Sequence, residues 1–185
     1  MHRDSRTIVG LVLITLLTSI GLNGAASAAS TTEINAKVEG TLSEFKKEVP
    51  GGAEFLNKAS GVLVFPDVIK AGFVVGGEYG EGALRIGGQS EAYYNIASAS
   101  FGLQVGAQQY AIVMVFLNDD VLKKFRESKG WEAGVDGSVA VAEWGAGDDI
   151  NTKTFKDPIV AFVFGNKGLM AGVSIEGSKI TKIEK

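Results

Sequence analysis

The stretch AGFVVGGEYGEGALRIGG, residues 71–88, carries seven glycines in eighteen residues, and the reading of the rest of the chain turns on it. It is either a phosphate-cradling loop or a strand whose glycines serve packing. A phosphate loop needs a strand, a glycine turn and then a helix whose first amides face the anion. Here Gly77, Gly80 and Gly82 are followed by ALRIGGQSEAYYNI, which Gly87 and Gly88 soon interrupt, and no helix follows. There is no Gly-Lys-Ser/Thr, and GGEYGEG runs Gly-x-x-Gly-x-Gly, the reverse of the dinucleotide fingerprint. The stretch therefore predicts a long strand, with glycines where another element crosses closely or the sheet bends sharply. A face of small residues lets a helix, a second sheet or a lipid chain pack flush against it.

Working outward, GVLVFPDV at residues 61–68 is a short apolar run broken by Pro66, which predicts an edge strand or a strand end. Downstream, apolar or small residues at Ala97, Ala99, Phe101, Leu103, Val105 and Ala107 alternate with Ser, Gly and Gln, a twelve-residue strand signal. Tyr110 to Leu117 is apolar at almost every position and predicts a strand covered on both faces. Asn118, Asp119 or Asp120 caps a short helix that turns Val121, Leu122 and Phe125 inward, and Gly130 ends it. Three further strand-like segments follow, with a hairpin turn at GNKG, residues 165–168. Upstream, Ile34, Val38, Leu42, Phe45 and Val49 form one stripe of an amphipathic helix, capped by Thr31 or Thr32 and ended by Pro50-Gly51-Gly52. A second short helix runs from about Ala53 to Ala59. The expectation is an α+β domain: two N-terminal helices, then about seven strands of a Gly-rich, mainly antiparallel curved sheet, barrel- or sandwich-like, with one inserted helix.

The first 28 residues read differently. Two arginines precede the apolar run TIVGLVLITLLTSIGL, and Ala26-Ser27-Ala28 offers the small-x-small pattern of a signal-peptidase site. A secretory signal peptide cut after Ala28 is expected. The alternative is an uncleaved membrane anchor, although the run falls just short of the roughly 20 residues of a full span. The organisation expected is a signal peptide at 1–28, an N-terminal amphipathic helix and linker at 29–52, and the main domain at 53–185. The chain has no cysteine, so it carries neither a lipoprotein anchor nor a disulfide, and a periplasmic or secreted protein is expected. Residues 29–185 hold 16 basic and 20 acidic residues, a net charge of about −4 without a basic block. Such a surface is a poor match for nucleic acid, where phosphate neutralisation needs clustered Lys and Arg.

The only histidine is His2, inside the expected leader. The processed chain would then have no His and no Cys, which excludes Ser-His-Asp and Cys-His catalysis and His/Cys metal sites. No catalytic residue, metal or cofactor is expected. Asp119-Asp120 suits a helix start, and Asp148 and Asp149 in GAGDDIN suit a plain loop. Glu78 and Glu81 fall on opposite faces of a regular strand and read as surface residues. Lys46, Lys47 and Lys70 are candidates for a lipid headgroup, with Phe45 beside the first two, because a cation near an anionic surface is worth about 1 kcal/mol. The plainer alternative is solvated lysines. Trp131 and Trp144 are either interfacial anchors or fill the edge of the core.

ASGVLVFPDVIKAGFVVGGEYGEG, SFGLQVGAQ and GLMAGVSIEGSKI together resemble the SYLF family, also called the lipid-binding or yeast actin-patch family, over about Phe55 to Ile183. The resemblance rests on Gly61, Pro66, Lys70-Ala71-Gly72-Phe73, Gly76-Gly77, Tyr79-Gly80, Gly82, Gly102 and Gly106. It implies a membrane-associated module that binds phosphoinositides, with contact through an N-terminal amphipathic helix and nearby basic residues. Some eukaryotic relatives bind actin, and bacterial ones are envelope proteins, often lipoproteins. Two departures stand out. The lipoprotein cysteine is absent, and the first helix balances Glu33, Glu39, Glu44 and Glu48 against Lys37, Lys46 and Lys47. Actin is absent from a bacterial periplasm, so that activity is not carried over. The expected function is non-enzymatic binding of anionic phospholipid at the bacterial envelope, with membrane lipids as partners. The alternative is a structural domain that binds an envelope protein.

Overall fold

The computed structural model describes residues 29–72, 75–101, 106–142, 155–165, 168–170 and 173–185. The expected leader, Trp144 and the GAGDDIN loop lie outside the described residues. The architecture is α+β, as the sequence predicts. Helices α1 (Thr31–Glu48) and α2 (Gly52–Lys58) precede the sheet, and α3 (Asp119–Glu127) is inserted in it. The strands are β1 (Gly61–Gly72), β2 (Val75–Ile86), β3 (Gln89–Phe101), β4 (Gly106–Phe116), β5 (Trp131–Glu132), β6 (Ala140–Ala142), β7 (Ile159–Gly165), β8 (Gly168–Leu169) and β9 (Lys179–Ile183). They lie in the order β5-β9-β3-β2-β1-β4-β7-β6, with β8 on β7, and among the described strands only β6 and β7 pair in parallel. The β7–β8 pairing flanks the predicted GNKG turn, whose Asn166 and Lys167 lie outside the described residues.

Alternation along the central strands divides the core in two. Leu63, Phe65, Ile112, Met114, Ala161 and Val163 belong to one cluster; Val62, Val64, Val113, Val115, Val160 and Phe162 belong to the other. Trp131 of β5 lies in the first cluster and Val141 of β6 packs against it, although these strands are the two ends of the sheet. Strands from both ends reach one cluster only if the sheet curls round it, which makes an open half-barrel. Helix α3 fills the inner side through Leu122 and Phe125, whose ring meets Tyr94, Phe116 and Trp131 at 5.1, 4.9 and 5.6 Å. Trp131 is thus a core residue.

The outer face is covered by α1 and α2. Ser30, rather than Thr31 or Thr32, caps α1, its hydroxyl accepting from the Glu33 amide at 3.2 Å. Ile34, Val38 and Phe45 are buried as the stripe predicts, but Thr41 takes the fully covered place and Leu42 is half-buried. Phe45 and Phe55 each stand edge-on to Phe162 at 4.9 Å. Asn118 caps α3, its Oδ1 accepting from the amides of Asp120 and Val121, and Ser128 ends it.

Strand β1 corrects the edge-strand expectation: it is central, between β2 and β4. Its register slips between Val64 and Asp67 against β2, and between Phe65 and Val68 against β4. Proline has no N–H to give a ladder, and the bulge is where a central strand tolerates it. The bulge also explains the opening stretch. A Cβ on Gly82 would stand 2.0 Å from the Val64 carbonyl oxygen, so β2 needs glycine where β1 bulges toward it. Gly87 and Gly88, with φ of 58° and 83°, make the tight turn into β3 rather than a phosphate loop. The alternation over 97–108 is not one strand. It belongs to the end of β3 and the start of β4, with β2 and β1 between them. Alternation reports period, and the same period continued across a crossover looks uninterrupted.

Candidate functional site

The residues expected to meet lipid do not form one site. Phe45 is fully buried in the outer core and offers no surface to a membrane. Peeling α1 away would expose Ile34, Val38 and Phe45 at about 1.5–3 kcal/mol each, before the sheet beneath is counted. The amphipathic helix is therefore occupied by its own domain. Lys47 is 82% exposed and bridges to Glu48 at 3.0 Å; hydrogen bonding to that carboxylate, and its charge, raise the Lys47 ammonium above its ordinary value. Lys46 lines a groove that also contains Gly61. Lys70 lies nine residues farther along β1, roughly 30 Å at 3.3 Å per residue, so it belongs to the other end of the sheet.

That other end is where β1, β2, β3 and β4 run out beyond the start of α1. Ile69 pairs directly with Tyr79, and Tyr79 with Ala97. Directly opposed residues share a face, and this is the outer one. The next row holds Ala107, Ala71, Gly77 and Ala99, all exposed. Among the described residues four large hydrophobics are exposed, and three of them are here: Ile69 at 55%, Val75 at 60% and Tyr79 at 50%. They form an apolar shelf of small and large side chains. A cleft of about 380 Å³ joins it to Ala29 and Ile34 at the start of α1. Sequence reading missed the shelf because the Pro66 bulge changes which residues of β1 face out. The small-residue face was visible, and its large neighbours Ile69 and Tyr79 were the signal available.

The inner face of the same end is polar. Gln108, Lys70, Glu78 and Ser98 stand in one row across β4, β1, β2 and β3. Glu78 is buried, which corrects its reading as a surface residue, while Lys70 and Ser98 beside it are half-buried and Gln108 is exposed. Its Oε2 accepts from the Tyr110 hydroxyl at 2.8 Å and the Ser98 hydroxyl at 3.4 Å, while Oε1 has no partner among the described residues. Burial, then the hydrogen bond to Glu78 and its charge, push the Tyr110 phenol well above its ordinary value. Glu81 faces outward, as the alternation predicts. It accepts from the Tyr79 hydroxyl at 3.0 Å and from Lys185 Nζ at 2.8 Å. Burial pushes its carboxyl up, but hydrogen bonds from Lys185 and Tyr79, the Lys185 charge and the Ala29 amide outweigh it and hold it below the ordinary value. The two glutamates lie on opposite faces and do not form an acid–base pair. Among the described residues no three Asp, Glu, His or Cys side chains gather as metal ligands.

The family model Ysc84, described as a Las17-binding protein actin regulator, matches residues 97–185. The match spans β3 from Ala97 through β9 and leaves out the glycine-rich β2, which carries much of the resemblance. No curated protein matches the chain.

Proposed function

We propose, on the match of residues 97–185 to the Ysc84 family model, that the protein is a non-enzymatic module that binds anionic phospholipid surfaces at the bacterial envelope. It reaches the periplasm, or is secreted, after cleavage following Ala28. The observation that carries this reading is the apolar shelf. Half-burying Ile69, Val75 and Tyr79 is worth about 1 kcal/mol each; Lys70 stands at the same end but on the inner face, so it adds less than the about 1 kcal/mol of a cation set directly beside an anionic surface. The total, about 3–4 kcal/mol, corresponds to millimolar or weaker affinity for accessible lipid. Contact is then peripheral and reversible, and no helix among the described residues is long and apolar enough to cross a membrane.

Vesicle co-sedimentation of the exported protein tests it. Phosphatidylglycerol vesicles should retain it and neutral ones less so, with the difference shrinking at high salt. Ile69→Ser with Tyr79→Ser should abolish retention, and Lys70→Glu should weaken it. Lys46→Glu with Lys47→Glu asks whether the far end of the sheet also contributes. Retention unchanged in the shelf variant would refute the shelf as the contact. No retention on any vesicle would favour an envelope protein as the partner.

A further inference from the structure

The cleft beside the shelf holds Ala29, half-buried among Glu33, Lys37, Asp67, Tyr79 and Glu81. The Ala29 carbonyl accepts from Lys185 Nζ at 2.9 Å, and its amide donates to the Glu81 carboxylate. Lys185 Nζ bridges the same carboxylate at 2.8 Å, and the Tyr79 hydroxyl donates to it at 3.0 Å. Both side chains of that bridge are largely covered, Glu81 at 15% exposed and Lys185 at 8%. Charge in the cleft does not balance among the described residues. Lys37 serves two carboxylates, Glu33 at 2.8 Å and Asp67 at 3.1 Å, while Lys185 serves Glu81 alone. Three carboxylates thus face two ammonium groups, and the cleft is one positive charge short.

We infer that Glu81 is the capture site for the α-ammonium that leader removal frees at Ala29. The inference rests on the proposed cleavage after Ala28 and not on lipid binding. Hydrolysis of that peptide bond consumes one water: Ala28 leaves as a carboxylate, and the Ala29 nitrogen takes the released proton and becomes an ammonium. The nitrogen that donates a neutral hydrogen bond to Glu81 then donates a charge-assisted one, which is about twice as strong. A carboxylate offers about four acceptor positions, so Lys185, Tyr79 and Ala29 fit on it together. The new charge is the positive group that the cleft lacks. It also needs a counter-ion there, because Ala29 immediately precedes Ser30, the cap of α1, where the helix dipole disfavours a cation. Before cleavage the Ala29 nitrogen is tied to β2 by a neutral hydrogen bond, and after cleavage by an ion pair in a largely covered site. Leader removal therefore fastens the start of α1 to the sheet, next to the shelf.

The test takes the exported protein, reads its first residue from the intact mass, and follows acylation of the Ala29 amine across pH by mass analysis of the N-terminal peptide. The midpoint of that profile should lie above the ordinary α-amine value of about 8. Near neutrality the amine should then react about tenfold more slowly than in Glu81→Gln, whose midpoint should return to the ordinary value. Lys185→Gln leaves Glu81 in place and removes the ammonium that shares it, so the midpoint should rise further. The thermal midpoint obeys the same linkage. The ammonium contributes fully below the ordinary value, and its contribution is lost as pH rises through the raised one. The parent should therefore lose stability in that alkaline window, and Glu81→Gln should lose less. A merely structural Glu81 predicts one ordinary midpoint in all three proteins, and that result would overturn the inference. So would a mass that starts at another residue, which leaves no α-ammonium in the cleft. Vesicle retention bears only on the lipid reading, so the two fail separately.

Discussion

Gly82→Ala probes the reason for the glycine-rich strand. The added methyl carbon would stand 2.0 Å from the Val64 carbonyl oxygen and 2.8 Å from both its carbonyl carbon and Phe65 Cδ1. The obstacle is backbone, so no rotamer change relieves it, and β1 must retreat by more than an ångström. Overpacking of this kind costs about 1–3 kcal/mol. Retreat at the bulge also opens the Val64–Ala83 pairing, and two ladder hydrogen bonds at about 1 kcal/mol each are put at risk. The expected loss is about 3–5 kcal/mol, against a typical total of 5–15. In urea, with a slope of about 1–3 kcal/mol per molar, the midpoint should fall by roughly 2 M. Gly77→Ala in the same strand is the control, because its methyl would meet only the Ser98 carbonyl oxygen, at 3.9 Å. That variant should stay within about 1 kcal/mol of the parent. Equal damage from both substitutions, or a Gly82→Ala midpoint near that of the parent, would refute the idea that glycine is needed to clear the bulge.

Other outcomes follow from individual contacts. Tyr110→Phe removes the short hydrogen bond to the buried Glu78 and should destabilise by about 1.5–3 kcal/mol in denaturant titration. Glu81 is held below its ordinary value in the fold, so its contribution is present above that value and is lost as pH falls through the folded one. Glu81→Gln should therefore flatten the acid limb of a plot of thermal midpoint against pH and leave the shape near neutrality unchanged. Asn118→Ala removes the acceptor of two helix-start amides and should cost about 1 kcal/mol by the same titration. Intact mass of the exported protein should correspond to a chain starting at Ala29.

Local patterns were easiest to read where one element contacts one surface. The stripe of α1 was legible because a helix shows the same face for four turns, and only the exchange of Leu42 for Thr41 depended on the sheet below. Strand β1 was misplaced because Pro66 carries the same message in an edge strand and at a bulge, and only the neighbouring strands distinguish the two. Glu78 was misplaced for a related reason. Alternation separates two faces but does not say which of them a curled sheet encloses. Phe45 and Lys46 were judged together as sequence neighbours, yet the helix turns one into the core and the other to the groove. Arg85 stands alone as a cation in ALRIGG, just ahead of a glycine turn, and its pairing with Glu39 of α1 depends on how the helix lies on the sheet, which local sequence does not report.

Lys185 Nζ donates to the Ala29 carbonyl at 2.9 Å as well as to Glu81, so the two ends of the described fold meet at one point. A linker joining residue 185 to residue 29 would have no more than the reach of one lysine side chain and a hydrogen bond to cover, and new ends opened at the exposed Gly87–Gly88 turn should leave both cores intact. A circular permutant of that design is therefore expected to fold. By the same geometry, any chain attached before Ala29 departs beside Tyr79 and the apolar shelf, so a tether there would hold the shelf toward whatever anchors it.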